Sequence, residues 1–312
     1  MDRNDRTIAK HIVLAIGYTD QFMYPLRRSE IWQRMVGVWD ESRISRISFN
    51  QTLARLKRER VLQQKNSMFS LSSERHSADE YVSIRKDRAA FAKQKKAESS
   101  ELIAFLKRLP WVTGVLITGS VAMNNAIQDD DVDFLIITKP GSLWFVRPLV
   151  VGFSWIKKKR RSWKKEEKNS WCFNFWLDEN HLTIPKQNRS IYTAYELLQA
   201  EFVLAEPQVA RMYYSCNLWA RRILPEYYKS ARPQSQQQLL SQEELEKREA
   251  VRLFYKYPVI WLNELLYWVQ QVYMMPHKTS EQVGRGFAFF HPRDTRTQVF
   301  ENWKTSLKRL VY

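Results

Sequence analysis

The sequence predicts an α+β chain, with a small mixed sheet in the middle and helices on either side of it. Two short apolar strand patterns, "WVTGVLIT" from Trp111 and "VDFLIIT" from Val132, flank an acidic turn. Long stretches before and after them place apolar residues at helical spacing. Glycine is scarce, 8 in 312 residues, which disfavours a loop-rich β protein.

Composition narrows the class further. At 44% hydrophobic residues the chain is globular, and its length suits two or three small domains. A net charge of +17 calls for a polyanionic partner: nucleic acid, nucleotide phosphates or an anionic surface. The two cysteines, Cys172 and Cys216, form no ligand-spaced cluster and read as small apolar residues in a reducing, cytoplasmic compartment. The start, "MDRNDRTIAK", lacks a signal-peptide pattern. Leu143–Ile156 is too short to span a membrane and contains Arg147 and Pro148. Tyr257–Met275 carries Asn263, Glu264, Gln270 and Gln271. A span needs about 20 mostly apolar residues. Both stretches therefore read as buried helices, and the membrane is not the expected partner. The basic run Lys157–Lys165 keeps a membrane surface as the alternative.

Residues 1–72 read as three helices and a hairpin. Thr7–Ile16 is the first helix, and "SEIWQRMVGVW" aligns Ile31, Trp32, Met35 and Val36 on one stripe. In "SFNQTLARLKRERVL", Ser48 and Gln51 have capping-box spacing. Leu53 and Leu56 face inward there, with Arg55, Lys57, Arg58 and Arg60 elsewhere. "VLQQKNSMFSLS" alternates around a turn at Lys65-Asn66. This order resembles a winged helix-turn-helix domain. The resemblance implies that Ser48–Arg60 is the recognition-like helix, with the four cations against nucleic-acid phosphates. Packing on a protein partner is the competing use of the same face.

Residues 73–100 read as a connector helix capped at Ser77, running on to Leu109. The sheet-forming core is expected over 101–190 and a helical region over 191–312. Within that region, "SIYTAYELLQAEFVLAEPQVARMYYSCNLWARRIL" reads as two helices broken near Pro207, Ser230–Lys247 as a polar linker, and Gln242–Met274 as one long helix. Asp294 is placed to cap a final helix, and His291 stands alone.

Between the two strand patterns lie Gly119-Ser120, a short helical segment and Asp129-Asp130-Asp131-Val132-Asp133. Residues two apart in a strand share a side, so Asp131 and Asp133 aim two carboxylates at one region. Converging carboxylates repel unless a cation sits between them, and Mg²⁺ accepts one or two such ligands beside water and phosphate oxygens. Gly119 allows close backbone approach, and Ser120 offers a hydroxyl at a helix start.

This stretch resembles the signature of the DNA polymerase beta-like nucleotidyltransferase superfamily: Gly-Ser, a turn into a short helix, then Asp-x-Asp entering a strand. The spacing from Ser120 to Asp131 matches without a gap; Met123 replaces the usual Arg and Asn124 the usual Gly. The resemblance implies two Mg²⁺ ions on Asp131 and Asp133, a nucleoside triphosphate substrate held at Gly119 and Ser120, and transfer of a nucleoside monophosphate to an acceptor, nucleic acid or protein. It also implies a third carboxylate on a later strand. In "NSWCFNFWLDENHLTI" the choices are Asp178 at the strand end and Asn174, a neutral residue at the mid-strand position. With Asp178 in place the site is catalytic. With Asn174 there it belongs to a nucleic-acid-binding regulator whose nucleotidyltransferase fold senses a nucleotide or is inert.

Overall fold

The structure is a computed structural model that describes residues 3–37, 44–73, 76–159, 168–234, 239–275, 282–290 and 296–308. It begins with α1 (Arg3–Asp20), β1 (Leu26–Arg27), α2 (Arg28–Arg34), α3 (Arg46–Arg58), β2 (Leu62–Lys65) and β3 (Met68–Leu71). The strands form an antiparallel sheet in the order β1-β3-β2. Ile8, Ile12 and Ile16 recur every four residues along α1 and bury one stripe against Ile31, Phe49, Leu53 and Phe69. Lys65 pairs with Met68, so the turn is Asn66-Ser67, one residue later than the sequence pattern places it. Both turn residues have positive φ, 46° and 61°, the geometry that suits a two-residue hairpin loop. The cap of α3 is Ser45, not Ser48: the Ser48 N–H donates to Ser45 Oγ at 3.0 Å. Spacing alone selects a serine already inside the first turn.

The connector is α4 (Ala78–Glu98) followed by α5 (Ser100–Arg108), two helices rather than one. At the junction Ser99 Oγ donates back to Lys95 O at 2.9 Å, a side-chain bond that competes with helix continuation. Lys95 is buried, and its ammonium donates to Gln128 O (2.9 Å), Asp130 O (2.5 Å) and Asn169 Oδ1 (2.6 Å). The connector therefore pins the acidic turn from behind.

The remaining elements are β4 (Val112–Thr118), α6 (Gly119–Ala122), β5 (Val132–Thr138), α7 (Leu143–Ile156), β6 (Trp171–Asp178), α8 (Ile191–Gln199), β7 (Glu201–Ala205), α9 (Pro207–Ser215), α10 (Trp219–Ile223), α11 (Pro225–Gln234), α12 (Gln242–Phe254), α13 (Lys256–Met274), β8 (Gln282–Val283), β9 (Phe287–Phe289) and α14 (Arg296–Lys308). Six strands make one mixed sheet, ordered β7-β4-β5-β6-β9-β8, with β5 and β6 parallel and the other pairs antiparallel. Leu116, Leu135 and Ile137 face a core shared with α8 and α9; Val115, Ile117, Phe134 and Ile136 face a second core with α5 and α7. Cover on both faces explains why these strands are apolar without alternation.

Five expectations change. Glu201–Ala205 is a strand on the edge of β4, not part of a helix; a five-residue apolar run is too short for periodicity to decide. Because β7, β8 and β9 belong to the same sheet, the core extends past residue 190. The long helix from Gln242 is broken at Tyr255, and the polar stretch 230–247 is largely taken up by α11 and α12, with a capping box at Ser241 and Glu244. Finally, α13 is buried along one side only: Val259, Asn263 and Met274 are buried, whereas Tyr257, Trp261, Trp268 and Val272 are exposed, at 78%, 72%, 56% and 66%. No described helix is long and apolar enough to cross a membrane. Residues 160–165 of the basic run, His291 and Asp294 lie outside the described residues.

Candidate functional site

The site forms where β4 ends and β5 begins. Antiparallel pairing sets Thr118 opposite Asp133. The next residue, Gly119, has φ +64°, and a Cβ on it would stand 2.9 Å from Asp133 Oδ2. Backbone angle and close approach both demand glycine here. Asn124, at φ 53°, holds the second left-handed position of the loop, as its short polar side chain allows.

Asp131 and Asp133 are both half-buried, while Val132 between them packs into the opposite core. Asp131 Oδ1 accepts the Ser170 N–H at 2.8 Å. Asp133 Oδ1 accepts from the Asn174 amide at 2.7 Å, and Asn174 Oδ1 lies 2.9 Å from Cys172 Sγ. Ser120 is turned to a different task from the one expected. Its hydroxyl donates to Asp130 Oδ2 at 2.7 Å, and the Ile127 N–H donates to the same oxygen at 2.9 Å. Asp130 thus closes the loop and leaves Asp131 and Asp133 as the carboxylate pair.

Asp178 is separated from that pair. In the parallel β5–β6 ladder Asp133 aligns with Cys172, whereas Asp178 aligns with Thr138. Five residues of strand amount to about 16 Å. Asp178 Oδ1 accepts the Asn180 N–H at 3.0 Å and lies 2.6 Å from His181 Nδ1, so it caps the turn after β6. The ladder slips register between Asp133 and Leu135. That irregularity defeats the simple alternation that groups Asn174, Trp176 and Asp178: Trp176 packs with Phe134 and Ile136 in the core on the other face from Leu135.

A different carboxylate escapes the sequence reading. Glu196 lies on α8, between buried Ala194 and Tyr195 and buried Leu197 and Leu198. Burial, with the charge of Asp133 adding to it, pushes its carboxyl up to about 7. The signal in the sequence is a single acid inside the apolar run "TAYELL".

Among the described residues no group of three or more His, Cys, Asp or Glu is arranged to hold a metal. Two carboxylates two residues apart still match the donor chemistry of Mg²⁺, which takes one or two from protein. Asn174 stands beside Asp133, where the resemblance calls for a third acid.

The second candidate surface is on the N-terminal unit. Lys57, Arg58 and Arg60 are exposed and Arg55 is half-buried. Lys57 and Arg58 line a cleft of about 380 Å³ together with Arg28, which the sequence did not single out. Lys57 Nζ donates to Gln64 Oε1 at 2.9 Å, linking the helix to the hairpin.

Comparison of the chain with protein-family models, curated proteins and solved structures gives no match.

Proposed function

We propose that the chain is a Mg²⁺-dependent nucleotidyltransferase: a polymerase beta-like core joined to a winged-helix unit that holds nucleic acid. The observation that carries this reading is the contact of Gly119 with Asp133, which joins the Gly-Ser turn and the Asp-x-Asp strand start into one site. Asp131 and Asp133 are the residues that would hold Mg²⁺, which would neutralise triphosphate charge and ease deprotonation of an acceptor hydroxyl. Asn174 fixes the Asp133 carboxylate by its 2.7 Å bond. Glu196, buried on α8 and sensing the charge of Asp133, adds a further acidic group to this end of the sheet. The cleft bearing Arg28, Lys57 and Arg58 suits a phosphate backbone.

Incubation with Mg²⁺ and each labelled nucleoside triphosphate, with RNA, DNA and protein acceptors, tests the reaction. Label should move to one acceptor and stay free with the Asp131→Asn variant. Binding of nucleotide with no transfer to any acceptor removes the enzyme reading. One observation favours the second reading, a nucleotide-sensing regulator: the neutral Asn174 at Asp133. In that case Asn174→Asp should create transfer that the parent lacks. For the basic cleft, salt titration of duplex DNA binding is the check. Replacing Arg55, Lys57, Arg58 and Arg60 by alanine should reduce the log–log slope by roughly one for each of these cations that meets a phosphate. Equal binding at every salt concentration would remove this face as the reader.

A further inference from the structure

Arg34, the last residue of α2, is a buried cation with one unsatisfied donor. It is 6% exposed, and its Nη1 has no hydrogen-bond partner among the described residues. Nη2 reaches the Tyr227 hydroxyl at 3.3 Å and Met123 Sδ at 3.9 Å, and the guanidinium sits 4.8 Å from the centre of the Tyr227 ring. Among the described residues no carboxylate forms an ion pair with it. Glu30 is held by Arg85 at 2.6 and 2.8 Å, and Glu201 is held by Lys96. Rings soften the cost of a buried cation, but an unmade hydrogen bond from a charged group remains expensive.

Arg34 also lines a cavity of about 230 Å³ between the N-terminal unit and the sheet. At roughly 30 Å³ per water molecule, such a volume exceeds single waters and suits a small organic molecule. The Gln33, Asn124 and Gln199 amides and the rings of Tyr24, Phe202 and Tyr214 line it too, and its two carboxylates, Glu30 and Glu201, are already paired with Arg85 and Lys96. We propose that this cavity binds a small organic oxyanion, a carboxylate or phosphate group on a compact, partly apolar body, with the charged group on Arg34. Its walls come from α2 on one side and from α8, β7, α9 and α11 on the other, so the ligand would tie the two parts of the molecule together. Binding there is independent of the chemistry at Asp133.

The test is calorimetric titration of the full chain with sodium benzoate and with inorganic phosphate, against sodium chloride at equal ionic strength. One of the two should bind saturably and raise the melting temperature; which one does so separates a carboxylate ligand from a phosphate. Arg34→Met should lose that binding at least tenfold while staying folded, because an apolar side chain of similar length relieves the unpaired charge. Gln33→Trp, which fills the cavity from a half-buried position and keeps Arg34, should also lose it. If Arg34→Met fails to fold, the Gln33→Trp result decides alone. Absence of binding by both probes, or binding unchanged in the variants that fold, overturns the proposal.

Discussion

The parallel strands β5 and β6 carry an acidic site at each end, and the two ends are built differently. At the start, Asp133 faces a left-handed glycine, receives an amide from Asn174 and acts on Glu196 through its charge. At the finish, Asp178 accepts the Asn180 N–H and meets His181 within three residues of itself. The first end draws on four separate elements; at the second the Asp178 carboxylate makes its hydrogen bonds within its own turn, with Gly286 of the β8–β9 hairpin packed close against it. A carboxylate held by local bonds has a complete structural explanation. One held against another acid, beside a left-handed glycine, is where the proposed cation would relieve the repulsion.

Breaking the first end should have the largest effect. Asp133→Asn should weaken Mg²⁺-dependent nucleotide binding about 100-fold, ~2.7 kcal/mol, read by equilibrium dialysis with and without the metal. Gly119→Ala should come next. A methyl group at φ +64° and 2.9 Å from Asp133 Oδ2 should lower stability by about 1–2 kcal/mol and displace the carboxylate. Denaturant midpoints and nucleotide affinity should fall together.

Glu196→Gln tests the electrostatic link. The folded carboxyl holds its proton up to about 7, against an ordinary 4.5. Between those values the folded state binds more protons than the unfolded one. Its contribution to stability is therefore present below pH 4.5 and lost as pH rises through 7. His11, whose imidazole is pushed down mainly by burial, works in the opposite sense: it favours the folded state as pH rises. The difference between parent and Glu196→Gln isolates Glu196: urea midpoints should show a shallower fall, or a steeper rise, for the variant from pH 4.5 to 7. Identical pH profiles would mean that Glu196 is neither buried as described nor near the charge of Asp133. The smallest effect belongs to Asp178→Asn. It keeps an oxygen to accept the Asn180 N–H, so it should cost under about 1 kcal/mol and leave nucleotide binding unchanged. A loss as large as that of Asp133→Asn would restore Asp178 to the site.

The part of this comparison legible in the sequence was the local part. The helix–hairpin order of residues 3–71, the two strands around the acidic turn, and Gly119 with Asp131 and Asp133 all follow from short-range spacing. What failed depended on register and on distant packing. Alternation places Asp178 with Asn174, but the slipped β5–β6 ladder and the parallel pairing put it at the far end. Glu201–Ala205 is too short to distinguish from a helix and becomes a strand only by pairing with β4. Nothing in the sequence sets Lys95 and Arg34 apart from the chain's other cations; only the fold buries them. The apolar α13 looks like core, yet the sheet already has both faces covered, and Tyr257, Trp261, Trp268 and Tyr273 stay outside.

The central claim is that the carboxylate pair at the start of β5 holds a metal–nucleotide complex. Mn²⁺ in place of Mg²⁺ makes the test direct, since the electron paramagnetic resonance signal of free Mn²⁺ falls as the ion binds. With nucleoside triphosphate present, the parent and Asp178→Asn should remove Mn²⁺ from solution saturably and alike, and the Asp131→Asn, Asp133→Asn double variant should remove no more than nucleotide alone does. A double variant that takes up Mn²⁺ and nucleotide as the parent does would contradict the account.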